Sequence, residues 1–402
     1  MVLERNKLYR FPWSKTDNPG SWVEVTDDCD LTCEGCYRHK LQGHRPLKAV
    51  KDDILANHRL TRCDSMAIAG GEPLLYPHIV EIVDFISRRG IKPVILTNGE
   101  KLTPVLAATL KKAGLAKFHF HIDSGQERPA WRGKNERELN SLRQHYADLL
   151  WDVGGIQCGY NVTVYRGTLP YLPDIVEWCR ANIHKVQHIS LIAFRLIPFR
   201  DDTEYRVDGQ RVDISSYQTR RPDASEIDIT TEEMFGLLQG RFPDFRACAY
   251  LGGTSAPQTY KYLITAQIGS RRKIYGVLGA KTMEAVQVFF HLAKRRYCAF
   301  LRNPVAGKKI FALSIFDRDI RGALRNFVRS VSRNPARLLD RIYVQSIHLQ
   351  QPNEILNGRV NLCDGCANMM HYQGRLINSC RLDEYRMFGG EISPARPQGG
   401  EP

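Results

Sequence analysis

The chain has 402 residues, 43% hydrophobic and 25% charged, with a net charge of +14. Those proportions describe an ordinary globular protein long enough for one large domain plus additions, and they exclude a disordered or collagen-like chain. No run approaches the roughly 18 apolar residues of a spanning helix. The start "MVLERNKLYRFPW" is too charged for a secretory signal, and the eleven cysteines are an odd number. The expectation is a reducing, cytoplasmic setting with metal-ligating or catalytic thiols rather than a disulfide framework.

Residues 1–20 read as an N-terminal extension. Residues 21–200 then alternate two patterns. Strands are predicted at 21–26, 65–71, 92–99, 116–125, 156–165 and 188–198. Helices are predicted at 78–90, 103–114, where Pro104 opens and Gly114 closes the element, and 172–183. Six strands with helical crossovers imply parallel pairing in right-handed β/α units. The fold class is α/β, as a partial (β/α)6 TIM-like barrel, with a flat doubly wound sheet as the competitor; in either, ligands sit at the C-terminal ends of the strands.

Residues 201–358 break this rhythm and read as a mixed and basic insertion. The stretch 200–230 is polar and turn-rich, and suits loop and hairpin. Residues 271–350 hold 17 Lys and Arg against 4 Asp and Glu and are predicted to be mainly helical. On a helix over 318–333, Arg318, Arg321, Arg325, Arg329 and Arg333 share one face; Ile320, Leu324, Phe327, Val328 and Val331 share the other. Such a helix suits a peripheral contact with a membrane surface, here through residues 281–341, or an ordinary solvent-exposed arginine face. Phe289, Phe290, Leu292 and Phe300 suit a greasy cavity wall or core. No aromatic-interleaved basic motif supports nucleic acid, so none is expected as a partner. Cysteines return in residues 359–390, and the Pro/Gly-rich tail 391–402 is expected to be disordered.

Two cysteine groups carry the chemistry. The first is Cys29-x3-Cys33-x2-Cys36, on a loop after the first strand. Three thiolates on one loop can hold three irons of a [4Fe–4S] cluster and leave the fourth open. Zinc would want a fourth ligand such as His39 or His44. The second is Cys363-x2-Cys366-x13-Cys380, with Gly374 at a β-turn inside it. Here too zinc would need a fourth ligand, such as His371, and an iron cluster could take Cys248 or Cys298. Cys63, Cys158 and Cys179 sit in helix or strand patterns and read as packing residues.

The first loop, with Tyr37 after its last cysteine, "GGEP" (Gly70 to Pro73) after the second strand and "LTNG" after the third, resembles the radical SAM superfamily over residues 21–200. The second group resembles the twitch or shortened SPASM auxiliary-cluster modules of that superfamily, giving a small C-terminal iron–sulfur module at 359–390.

The resemblance implies a [4Fe–4S] cluster on Cys29, Cys33 and Cys36. Its open iron chelates the amino and carboxylate groups of S-adenosylmethionine (SAM). An electron from a donor such as a flavodoxin or ferredoxin cleaves SAM to methionine and a 5′-deoxyadenosyl radical, which abstracts hydrogen from a substrate. Cys363, Cys366 and Cys380 would hold a second, auxiliary [4Fe–4S] cluster.

It further implies SAM contacts. Tyr37 would lie against adenine. Gly70 and Gly71 would leave room for the methionine amino group, with Glu72 as its acceptor or a capping carboxylate, and Pro73 and Asn98 complete the two motifs. Asp123 and Ser124 would lie near the ribose, and Asn161 near the methionine end. His119 and His121 read as satisfied interior histidines. No catalytic acid or base stands out. The substrate expectation is an anionic lipid or phosphorylated metabolite. The alternatives are a peptide, a nucleotide, or a non-catalytic metal-binding role.

Overall fold

In the computed structural model the described residues are 3–36, 38, 41–194, 203–215, 217, 228–356 and 358–395. After a two-residue strand β1 (Tyr9–Arg10) come β2 (Gly20–Thr26), β3 (Ser65–Gly70), β4 (Lys92–Thr97), β5 (Lys117–His121), β6 (Gln157–Val164) and β7 (Val186–Ala193). The helices α1 (Leu47–Thr61), α2 (Ile79–Ser87), α3 (Pro104–Lys112), α4 (Asn140–Val153) and α5 (Leu172–Ala181) cross between them in turn. Strands β2 to β7 pair in parallel with each sequence neighbour. A doubly wound sheet would reverse direction midway; this sequential order is that of a partial TIM-like barrel.

Parity decides which side chains meet the helices. Phe118 and Phe120 of β5 lie in the core with Ile95, Val162, Ile82, Leu110 and Leu150. Lys117, His119 and His121 point the other way, into a cavity.

The sheet does not stop at β7. Beyond β8 (Glu204–Val207), β9 (Gln210–Arg211) and α6 (Thr231–Arg241) come β10 (Ala249–Leu251), β11 (Tyr262–Ser270), β12 (Lys273–Val277), α7 (Ala280–Lys294), α8 (Arg318–Arg333) and β13 (Tyr343–Gln350). β13 pairs in parallel with β7, then antiparallel with β11, which leads to β10 and β1. Residues 271–350 are mainly helical as expected, but β12 and β13 also lie in that range and extend the barrel sheet. The apolar side of α8 is largely covered: Ile320, Ala323 and Phe327 are buried with Tyr275 and Phe311, while Val328 stays 55% exposed. Its arginine side faces solvent, so α8 is an ordinary amphipathic helix rather than a membrane-inserting one.

The C-terminal part holds two hairpins, β14 (Glu354–Leu356) with β15 (Arg359–Asn361) and β16 (Met369–Tyr372) with β17 (Arg375–Asn378), then α9 (Leu382–Phe388) and β18 (Ser393–Ala395). Gln373 and Gly374 both take positive φ, as a two-residue hairpin turn requires. β18 pairs with β8, so residues 393–395 are ordered where composition suggested a disordered tail. This part docks on the first strand: Ser21 Oγ donates to the Met369 carbonyl at 3.1 Å. Among the described residues no helix is long and apolar enough to cross a membrane.

Candidate functional site

The cysteine loop lies across the C-terminal ends of β3 to β5. Gly71 N donates to Thr26 O at 2.8 Å, and Glu72 N donates to Asp28 O at 2.7 Å. A Cβ on Gly70, whose φ is +134°, would fall 2.1 Å from Thr26 O; one on Gly71 would fall 2.1 Å from Asp28 O. The two glycines thus admit the loop's own backbone, a nearer reason for them than room for a ligand.

Glu72 is buried, and its carboxylate is fully engaged. It accepts from Leu74 N at 2.9 Å, Thr97 Oγ1 at 2.6 Å and Asn98 N at 2.7 Å. Burial pushes its pKa up to about 7 against those donors. That is the capping role, joining β3 to β4. Asn98 donates from Nδ2 to Asp30 of the cysteine loop at 2.7 Å. Pro73 is buried at the first position of a short turn. Tyr37 lies outside the described residues, as does His39.

Cys29, Cys33 and Cys36 line one cavity of about 1620 Å³, together with Gly70, Gly71, Glu72, Asn98 and Asn161. Burial pushes the Cys33 thiol up to about 12, with Asp123, Cys36 and Cys29 adding to it. Burial likewise raises Cys29. Thiols that open into one space and resist one another's ionisation fit a polynuclear iron cluster, whose positive irons offset that repulsion. Among the described residues no three His, Cys, Asp or Glu side chains converge on a single-ion site. His44 is engaged with Thr26 Oγ1 at 2.8 Å.

Asp123 and Ser124 do not meet the cavity as expected. β5 ends at His121, so the alternation that would turn them inward stops. Asp123 is buried behind the wall, pairing with His121 Nε2 at 2.7 Å and accepting from Thr163 N at 3.0 Å. Burial raises its pKa, but His121 and Thr163 outweigh burial and hold the carboxyl below its ordinary value. Ser124 is exposed and lines a separate recess with Glu34 and Tyr165. His121, not Asp123, is the strand-end residue that faces the chamber.

The second trio stands at another side of the same chamber, where Cys380 and its neighbours Asn368 and Ser379 line the wall. Burial, then the charge of Cys366, raises the thiols of Cys363 and Cys380, and burial followed by all three cysteines raises the phenol of Tyr262. Three thiols close enough to act on one phenol again fit a cluster. The suggested fourth ligands are elsewhere. Cys248 Sγ donates to Ile264 O within the core, Cys298 is coupled to Lys92 and Asp64, and His371 pairs with Asp53 at 2.8 Å.

Two further walls complete the chamber. The insertion supplies Met283, Val286, Ile310 and Leu313. Residues 299–302 close the N-terminal end of the barrel: Ala299 N donates to Asp64 at 2.9 Å, Lys92 to Phe300 O at 2.5 Å, and Gln157 Nε2 to Arg302 O at 2.9 Å. Lys117, His119, His188 and His348 line the sheet wall. Sequence reasoning passed over three of these four, although each sits at the inward parity of its strand.

An α/β partial barrel that presents a three-cysteine loop to a chamber inside its strand ends defines a protein built to hold an iron–sulfur cluster beside a bound small molecule. The profile of the Radical SAM superfamily matches residues 23–152. Residues 23–152 are therefore a radical SAM domain, of a superfamily of enzymes whose cofactors are a [4Fe–4S] cluster and SAM.

Among relatives, it is 28% identical over 165 residues to a probable GTP 3′,8-cyclase of Methanocaldococcus jannaschii, covering 39% of this chain and 54% of that one. It is 23% identical over 254 residues to an AdoMet-dependent heme synthase of Oleidesulfovibrio alaskensis, covering 60% and 57%. The chain thus spans little more than half the length of these relatives. Among solved structures, Streptococcus suis SuiB bound to S-adenosylmethionine is similar with a TM-score of 0.35 at 18% identity, over 45% of this chain and 42% of that one.

Proposed function

We propose that this protein binds SAM at a cluster held by Cys29, Cys33 and Cys36 and abstracts hydrogen from an amphiphilic substrate with an anionic group. An anionic lipid or phosphorylated lipid-like metabolite is the class that fits best. The bound cluster would supply the electron that breaks the SAM sulfonium bond, fed by a small carrier such as a flavodoxin or ferredoxin. The chain's own residues would do the rest. Asn98 and Glu72 hold the cysteine loop at the strand ends, Asn161 and His121 face the SAM space, and residues 299–302 seal the far end from water. Cys363, Cys366 and Cys380 would hold an auxiliary cluster that carries electrons or orients substrate.

The observation that carries this reading is that Cys29, Cys33 and Cys36 line one chamber together with Cys380 of the second group. The similarity to the GTP cyclase covers 39% of the chain, so a nucleotide substrate is not carried over.

The lipid class is supported by the surface of the basic insertion. α7 exposes Phe289 and Leu292, at 71% and 73%, and Ile315 and Leu339 of the same insertion are 83% and 84% exposed. Exposed apolar side chains within a segment of excess positive charge suit an anionic bilayer. Flotation with vesicles of phosphatidylglycerol tests this. Wild type is expected to float at low salt and to be released at high salt, and the F289D/L292D double substitution to lower the vesicle partition constant about tenfold, a loss of roughly 1.4 kcal/mol. Equal flotation on purely zwitterionic vesicles would count against an anionic lipid.

A further inference from the structure

The sheet wall of the chamber carries an unusual concentration of bases. Lys117 opens β5, and His119 follows two residues on. The His119 and His188 rings stack with centroids 4.8 Å apart, and the His188 and His348 rings meet edge to face at 4.2 Å. Register explains the contacts: His119 lies beside Gly159, and Gly159 beside His188. A Cβ on Gly159 would fall 2.7 Å from the His119 ring, so the glycine lets the rings stack. Ser346 and Ser190 hydroxyls hold the two ring nitrogens of His188 at 2.8 and 2.9 Å, and a hydroxyl can serve either protonation state.

Among the described residues no acid lines the wall beside these bases. Among the described residues the carboxylates lining the chamber are Asp27, Asp28 and Glu72, all at the cysteine-loop end. The neighbouring Lys92 is paired with Asp64 at 2.6 Å. Lys117 is 5% exposed, and its ammonium makes no hydrogen bond or ion pair with the described residues; its Nζ rests 3.6 Å from the centre of the Phe300 ring. Burial, then Lys92, brings Lys117 down to about 7, while Cys298 and Cys158 pull weakly the other way. Burial and the other bases hold His119 and His188 well below their ordinary value, and His348 at about 3. A buried lysine without a counter-ion, beside three histidines kept neutral for want of one, is a site that lacks an anion.

We propose that Lys117, with His119, His188 and His348, binds the anionic group of the substrate, a phosphate or a carboxylate, and sets how far the rest of the molecule reaches toward the cysteine loop. This rests on the reading that the chamber holds the substrate. Lys117 and His121 stand at opposite ends of β5, four residues apart, or about 13 Å at the rise of a strand. The substrate would then be elongated, with the C–H to be attacked roughly that far from its charge.

The test is calorimetric titration of the reconstituted full-length protein with octyl phosphate, octanoate and octanol. At least one anion is expected to bind about tenfold or more tightly than octanol, and competition by inorganic phosphate or acetate tells which headgroup is preferred. Lys117→Met should weaken the anion about tenfold or more, the scale of one charged hydrogen bond, and leave octanol unchanged. Lys117→Arg, which keeps the charge, should bind the anion more tightly than Lys117→Met. Imidazole NMR provides a second readout, since anion binding should move histidine signals toward the protonated form in wild type.

Octanol binding as tightly as both anions, no binding of either anion, or undiminished anion binding by a folded Lys117→Met protein would each overturn the proposal. Formation of 5′-deoxyadenosine from SAM by wild type is scored separately. Its presence without anion selectivity sinks this inference alone; anion selectivity without it sinks the SAM reading alone.

Discussion

Cys33→Ala is expected to remove about four irons per chain and to reduce 5′-deoxyadenosine formation to the level without enzyme. Cys33 is the least exposed of its trio and lies where the loop crosses to Gln126 near the end of β5. With alanine there, two thiolates cannot retain a cluster that takes its protein ligands from three cysteines. The neighbouring backbone bonds, Glu34 N to Gly125 O and Glu127 N to Thr32 O, do not involve the thiol, so the fold should survive. Circular dichroism close to wild type, with iron and turnover both lost, is the expected pattern. Retained iron and turnover would remove Cys33 from the site.

Arg38→Met is expected to cost about 3–5 kcal/mol, because it leaves buried carboxylates without their partner. Arg38 Nη2 lies 2.7 Å from Glu24 and 3.2 Å from Asp27, and Nη1 lies 2.8 Å from Asp383. Arg386 closes the group on Asp27 at 2.8 Å. Glu24 belongs to β2, Arg38 follows the first cysteine trio, and Asp383 and Arg386 belong to α9, just after Cys380. Burial raises the Glu24 pKa, and Arg38 and Arg386 pull it back. The network therefore fastens the two cysteine-bearing segments to each other. Arg38→Met should lower the melting temperature by about 5 °C, and pairing it with Glu24→Gln should restore part of that. A melting temperature within 1 °C of wild type, by roughly the error of such a scan, would mean that the network contributes little.

Much of the architecture was legible because period-two and helical patterns alternate cleanly through residues 21–200. The cysteine spacing and GGEP likewise sat where strand ends put them. What escaped notice had physical reasons. β11 and β13 are split by a basic segment whose charge drew attention to its helices, and only pairing with β7 reveals them as barrel strands. Asp123 and Ser124 were extrapolated past the end of β5, where parity no longer holds. The arginine face of α8 was legible, but whether its apolar face was free depended on β12 and Phe311, which are remote in sequence. His188 and His348 carried a usable signal at the inward parity of their strands, yet their meaning depends on Lys117 lacking an acid, a property of the assembled wall.

The most direct measurement is of SAM itself. Anaerobically reconstituted wild-type protein, reduced with dithionite, should convert SAM to 5′-deoxyadenosine and methionine in equal amounts. Protein that binds about four or more irons per chain yet forms no 5′-deoxyadenosine would contradict the account.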